Sequence, residues 1–155
     1  MGSGLSRFAL ELVSRHYISM KIFLVCSKKF YDKIPEIQKT LERSGHTITL
    51  PNCFADPGTE ERYKTLGVAE HSKWKAEMLK HSAGVIQDND AVFVLNFEKN
   101  GVENYIGGAT FLEMYDAFRL GKKIFLYNEI PKGILADEIV GFNPVVISGN
   151  LHKIL

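Results

Sequence analysis

Three short clusters in this chain carry groups able to do chemistry. The first is the turn Gly107-Gly108-Ala109-Thr110, which leads into Phe111, Leu112 and Glu113. Glycines at such a turn allow a ligand to approach the backbone, and the helix that follows aims N–H groups at an anion. A tight strand-to-helix turn needs the same glycines with no ligand, and the spacing alone leaves the two readings even. Glu113 lies about one turn into that helix. An acidic residue there ordinarily complements the helix dipole. Among Phe111, Leu112, Met114 and Tyr115, however, its carboxylate is either solvated on the outer face or aimed into the mouth of a site. The second cluster is Asp88 and Asp90, just before the most apolar run of the chain; Asp88 reads best as a turn cap. The third is Ser27-Lys28-Lys29-Phe30-Tyr31, whose hydroxyl and cations suit a phosphate, although lysines after a strand are more often simply solvated. His71 and His81 read as surface or packing residues.

Composition limits the functions these groups can serve. The chain has 155 residues, 45% of them hydrophobic and 24% charged, which suits one globular domain. Nineteen basic residues against eighteen acidic ones give a formal charge of +1, so no bulk charge draws the chain to a nucleic-acid polymer or an anionic membrane. No apolar run reaches the eighteen or so residues of a membrane span. The two cysteines, Cys26 and Cys53, form no CxxC pair, and no two histidines stand at i, i+4. These features predict a reducing, cytoplasmic setting and no metal. GxGxxG and GK[ST] are both absent, which removes support for NAD and FMN; no cofactor is expected.

The elements that must position these groups alternate. Residues 21–26 (KIFLVC) read as a buried strand, and Phe30, Ile34, Ile37 and Leu41 as a helix stopping at Gly45. Residues 47–50 form a second strand, and 51–60 a loop with two prolines. Val68, Trp74, Met78 and Val85 mark a helix over 68–86, followed by a strand over 91–96 (AVFVLN). Residues 97–108 are a polar loop. Phe111, Leu112, Tyr115 and Phe118 suggest the buried stripe of the next helix, which stops at Gly121. Residues 123–127 are a fourth strand, Pro131 is placed to open a short helix, and 144–148 are a fifth strand. Strands alternating with helices predict a parallel sheet covered on both faces: a three-layer α/β/α sandwich, flavodoxin-like or Rossmann-like, with five strands. Ligands of such sheets bind at the carboxyl ends of the strands, at the switch point between the first and third. The loop after strand one and the loop from Asn96 to Gly108 should therefore form the site. The domain is expected to span 20–155, with 1–19 an upstream extension or a short amphipathic helix carrying Leu5, Phe8, Leu12 and Val13 on one face.

Residues 20–27, 90–96 and 107–117 (GGATFLEMYDA), followed by Leu120-Gly121-Lys122-Lys123-Ile124, together resemble the nucleoside 2-deoxyribosyltransferase-like superfamily, which includes the deoxynucleoside 5′-monophosphate N-glycosidases. The small-residue turn, the glutamate and the Gly-Lys-Lys before a strand are its most specific part. The resemblance implies that Glu113 is the nucleophile at the anomeric carbon, that Asp90 lies near the base with Asp88 in reserve, and that Ser27 and Lys28 hold a 5′-phosphate. Tyr31 or Tyr105 would orient the nucleophile, and Asn96, Asn104, Gly107 and Gly108 would complete the substrate site. It further implies a homo-oligomer, dimer or larger, in which a neighbour completes each site. The chain departs from the pattern at Tyr115, where many members have glycine, and at Gly107, where members often carry an aspartate. The expected activity is cleavage or transfer of an N-glycosidic bond of a nucleoside or nucleoside 5′-monophosphate. The alternative is a non-catalytic nucleotide-binding or sensing module; a flavin protein of the same fold has the least support.

Overall fold

The computed structural model describes residues 18–154. The expected extension over 1–19 therefore lies, for residues 1–17, outside the described residues. Five parallel strands form one sheet: β1 (Lys21–Val25), β2 (Thr47–Thr49), β3 (Ala91–Val94), β4 (Lys123–Leu126) and β5 (Val145–Val146), in the order β2-β1-β3-β4-β5. The helices are α1 (Ile34–Arg43), α2 (Thr59–Leu66), α3 (Val68–Gln87), α4 (Gly108–Arg119) and α5 (Ala136–Gly141), and a 3-10 helix over Lys28–Lys33 precedes α1. This is the expected three-layer α/β/α sandwich, with β1 and β3 side by side at the point where the strand order reverses.

After the lysines that open β1 and β4, strands β1, β3 and β4 are apolar because both faces are covered, and their side chains sort by the twofold strand period. Ile22 and Leu24 of β1, Phe93 of β3 and Phe125 of β4 pack on one face with Ile34, Ile37 and Leu41 of α1. Phe23 and Val25, Val92 and Val94, and Ile124 and Leu126 pack on the other with Ile86 of α3, Met114 and Ala117 of α4, and Ile139 of α5. Each βα connection thus delivers its loop to the carboxyl edge of the sheet.

Four expectations need correction. The buried stripe of α4 is Thr110, Met114 and Ala117, while Leu112, Tyr115 and Phe118 are 42%, 45% and 50% exposed. The Thr110, Met114 and Ala117 stripe faces the sheet, and Phe111, Tyr115 and Phe118 gather instead around the Phe142 ring at 5.5–6.3 Å. Val68 is 88% exposed, and α3 buries Trp74, Ser82 and Ile86. Helix α2 starts inside the expected loop and buries no residue, so no apolar period marks it. The helix expected at Pro131 begins only at Ala136.

Met114→Ala should therefore destabilise the protein by about 2–5 kcal/mol through the cavity it leaves, whereas Leu112→Ala should cost about 0.5–1 kcal/mol. Urea unfolding of the two variants checks the assignment, and equal losses would put the stripe back on Leu112.

Candidate functional site

A cavity of about 420 Å³ opens at the carboxyl edge of β1 and β3, where the topology requires a site. Cys26, Ser27, Lys28 and Tyr31 follow β1 and form one wall; Pro51, Asn52 and Cys53 come from the loop after β2. Glu60, Glu61 and Lys64 of α2 form the rim. Trp74, Lys75, Met78 and Ser82 of α3, Lys99 and Tyr105 of the loop after β3, and Gly107, Gly108, Thr110 and Glu113 close it.

Glu113 lies where α4 packs on α3. Its Oε1 accepts a hydrogen bond from Ser82 Oγ at 3.0 Å, and Ser82 Oγ accepts one from Asn52 Nδ2 at 2.7 Å. Among the described residues Oε2 has no protein donor. No buried side-chain oxygen among the described residues lacks a partner, so Oε2 is accessible, on a residue that lines the cavity. The carboxyl is thus ringed by protein except where the cavity reaches it. Burial pushes its pKa from 4.5 up to about 7, and nearby Asp116 adds to the rise; the Ser82 bond and the Lys75 charge oppose it. Burial, then the Glu113 charge, pushes the Cys26 thiol up to about 12, so it stays protonated and is no nucleophile. Burial, helped by Cys26, Cys53 and Glu113, also raises the pKa of the Tyr31 hydroxyl, which keeps its proton; Tyr31 lines the cavity.

Four lysines line the cavity. Lys28 and Lys64 meet Glu61 at 3.4 and 3.0 Å, and Lys75 meets Glu60 at 2.9 Å. Glu60 also meets His71 at 3.0 Å; burial alone would raise its pKa, but the His71 and Lys75 hydrogen bonds outweigh burial and hold it low. Lys99 has no carboxylate partner among the described residues. Its Nζ donates to Ser27 Oγ at 3.1 Å and lies 4.6 Å from the centre of the Tyr105 ring. A turn with Asn100 and Gly101 at positive φ carries Lys99 there, closed by the Lys99–Val102 bridge. Tyr105 packs over Gly107, where a Cβ would sit 3.2 Å from the tyrosine oxygen.

The expected site residues divide accordingly. Glu113, Ser27, Lys28, Tyr31, Tyr105, Gly107 and Gly108 meet in the cavity. Asp90 does not. It precedes β3 at the amino edge, where its Oδ2 accepts from Lys21 N at 2.8 Å and its backbone joins β1 and β4. Four strand residues at about 3.3 Å each set it roughly 13 Å from the carboxyl edge. Asp88 caps α3 at that same distant edge, through bonds from its N–H to Gly84 and Val85. Asn96 is fully buried and spends its side chain on the backbone of Asn128 and Glu129, tying the ends of β3 and β4 together. Asn104 takes a positive φ of 54° as a turn residue and is outside the cavity lining. The sequence reading missed Ser82, Asn52, Lys75 and Lys99. The one signal for Ser82 was its place in the every-fourth-residue stripe Trp74, Met78, Ser82, Ile86, where a polar side chain needs a partner.

Fold and site together define an α/β protein with a cavity at the switch point of a parallel sheet, lined by the buried Glu113, the rim carboxylates Glu60 and Glu61, and four lysines. No family model matches the chain, and no curated protein matches it.

Because the folded-state pKa of Glu113 is raised, its favourable contribution is complete below pH 4.5 and lost as pH rises through about 7. Glu113→Gln keeps the acceptor for Ser82 and removes the charge. Thermal or urea unfolding should show the variant equal to wild type at pH 4 and more stable by about 3 kcal/mol at pH 8.5. The same difference at both pH values would refute the raised ionisation.

Proposed function

We propose that the protein cleaves or transfers the N-glycosidic bond of a nucleoside or nucleoside 5′-monophosphate, with Glu113 as nucleophile. The observation that carries this reading is the cavity-facing Oε2 of Glu113, on a carboxylate whose other oxygen is tethered. An N-glycosidic bond breaks through an oxocarbenium-like state that an adjacent carboxylate stabilises or traps. Oε2 bonds the anomeric carbon as the C–N electron pair leaves with the base, which takes its proton from water. Water then releases the sugar and restores the carboxylate, or a second base captures the sugar and makes the reaction a transfer. The Ser27–Lys99 pair, with Lys28 beside it, supports the monophosphate as the better substrate: Lys99 is charged, near a hydroxyl and uncommitted to a carboxylate. Trp74, Met78 and Pro51 give the cavity apolar wall of the kind a base requires. The exposed strip of Leu112, Tyr115 and Phe118 on α4 supports assembly of several copies.

A nucleotide-binding module without turnover is the second reading. What favours it is the position of Asp90, which leaves no carboxylic acid of the expected kind beside the leaving base.

Chromatography of the protein incubated with nucleosides and their 5′-monophosphates, with and without a second free base, tests the choice. Free base should appear, about a thousandfold less of it with Glu113→Ala. Activity should rise with pH through about 7 as Glu113 ionises. Lys99→Ala should raise KM about tenfold for the monophosphate and leave the nucleoside unchanged. Nucleotide binding with no turnover across the panel would leave the binding module.

A further inference from the structure

We propose that Ser82, itself held by Asn52, is a positioning residue that decides which oxygen of Glu113 reacts: it tethers Oε1 and leaves Oε2 for the anomeric carbon. This rests on the nucleophile reading above. A serine hydroxyl has one proton to give and two lone pairs to accept with. Asn52 Nδ2 occupies the accepting side at 2.7 Å, so the Ser82 proton is directed to Glu113 Oε1 at 3.0 Å. The last torsion of a glutamate is broad and nearly twofold, so a free carboxyl exchanges its oxygens readily. One donor fixed on a neighbouring helix removes that freedom.

The tether is rigidly built. Ser82 is 5% exposed on the inner stripe of α3, between the buried Trp74 and Ile86. Asn52 comes from the loop after β2, so α3, α4 and that loop converge on one carboxyl group. Other charged or titratable groups act on Glu113 only through space: Lys75 from α3, Asp116 from α4, Cys26 after β1 and Tyr31 of the 3-10 helix. Among the described residues, Ser82 alone donates a hydrogen bond to it.

Carbon-13 NMR of protein labelled at the glutamate carboxyls reads this without any substrate, with Glu113→Gln assigning the signal. In Ser82→Ala the Glu113 midpoint should move up by about one pH unit, because the ionised form loses its donor. Ser82→Thr, which keeps a hydroxyl, should stay within about 0.3 of wild type, and Asn52→Ala should move up by less than Ser82→Ala. On any substrate that turns over, Ser82→Ala should lose about tenfold or more in kcat with KM within about twofold. A wild-type midpoint in folded Ser82→Ala overturns the tether; should that variant not fold, an unmoved midpoint in Asn52→Ala does so. A moved midpoint in a protein that turns over nothing upholds the tether and overturns the nucleophile reading instead.

Discussion

Glu113 gives up most of its hydration where α4 packs on α3, and the surrounding structure only partly replaces it. One hydroxyl bonds one oxygen, one lysine lends its field, and Asp116 works against both. A carboxylate in that position destabilises the fold above neutral pH, in the manner of groups kept for function at the expense of stability. The other polar groups of the cavity are arranged around this constraint. Glu60 and Glu61 occupy Lys75, Lys28 and Lys64 at the rim, so little free positive charge reaches Glu113 to stabilise it outright. The remaining uncommitted cation, Lys99, is placed beside Ser27 on the loops that follow β3 and β1.

The sheet makes this arrangement possible. With β1 and β3 adjacent at the reversal of strand order, the loops after them open away from each other and leave a crevice. Strands β1, β3 and β4 are buried on both faces, which fixes their register through the sorting of Phe23 and Val25 from Ile22 and Leu24. Thr110, Met114 and Ala117 form the inner stripe of α4, and Glu113, next to Met114 on that helix, meets Ser82 across the α3–α4 contact. The fold also explains why Asp90 takes no part: a residue that begins a strand lies at the opposite edge from one that follows it.

The fold was legible because its signals are local. Strand runs such as AVFVLN and helix stops at Gly45 and Gly121 are properties of a few neighbouring residues, and the parallel order follows from their alternation. Part of the site was legible for the same reason, since Ser27 and Tyr31 follow β1 and Glu113 lies near the start of the helix after β3, all of which topology sends to one edge. Asp90 and Asn96 were misplaced because their chemistry suits a site while their hydrogen bonds serve the sheet: Asp90 does so at the amino edge, and Asn96, at the carboxyl edge, bonds the backbone of Asn128 and Glu129. Ser82, Asn52 and Lys99 were unreadable because each acts through a partner 30 or more residues distant: 31 from Ser82 to Glu113, 30 from Asn52 to Ser82 and 72 from Lys99 to Ser27. Helix α2 escaped because it buries nothing and leaves no apolar period.

The central claim is that Glu113 Oε2 attacks an anomeric carbon. Trapping tests it most directly: incubation with a 2′-fluoro-2′-deoxynucleoside 5′-monophosphate, whose electron-withdrawing fluorine slows breakdown of a sugar ester, followed by peptide mass spectrometry. The account predicts a fluorinated sugar-phosphate adduct on the peptide carrying Glu113, together with an equal amount of free base. Free base released with the label on another residue, or binding of the analogue with neither base nor adduct appearing, would contradict it.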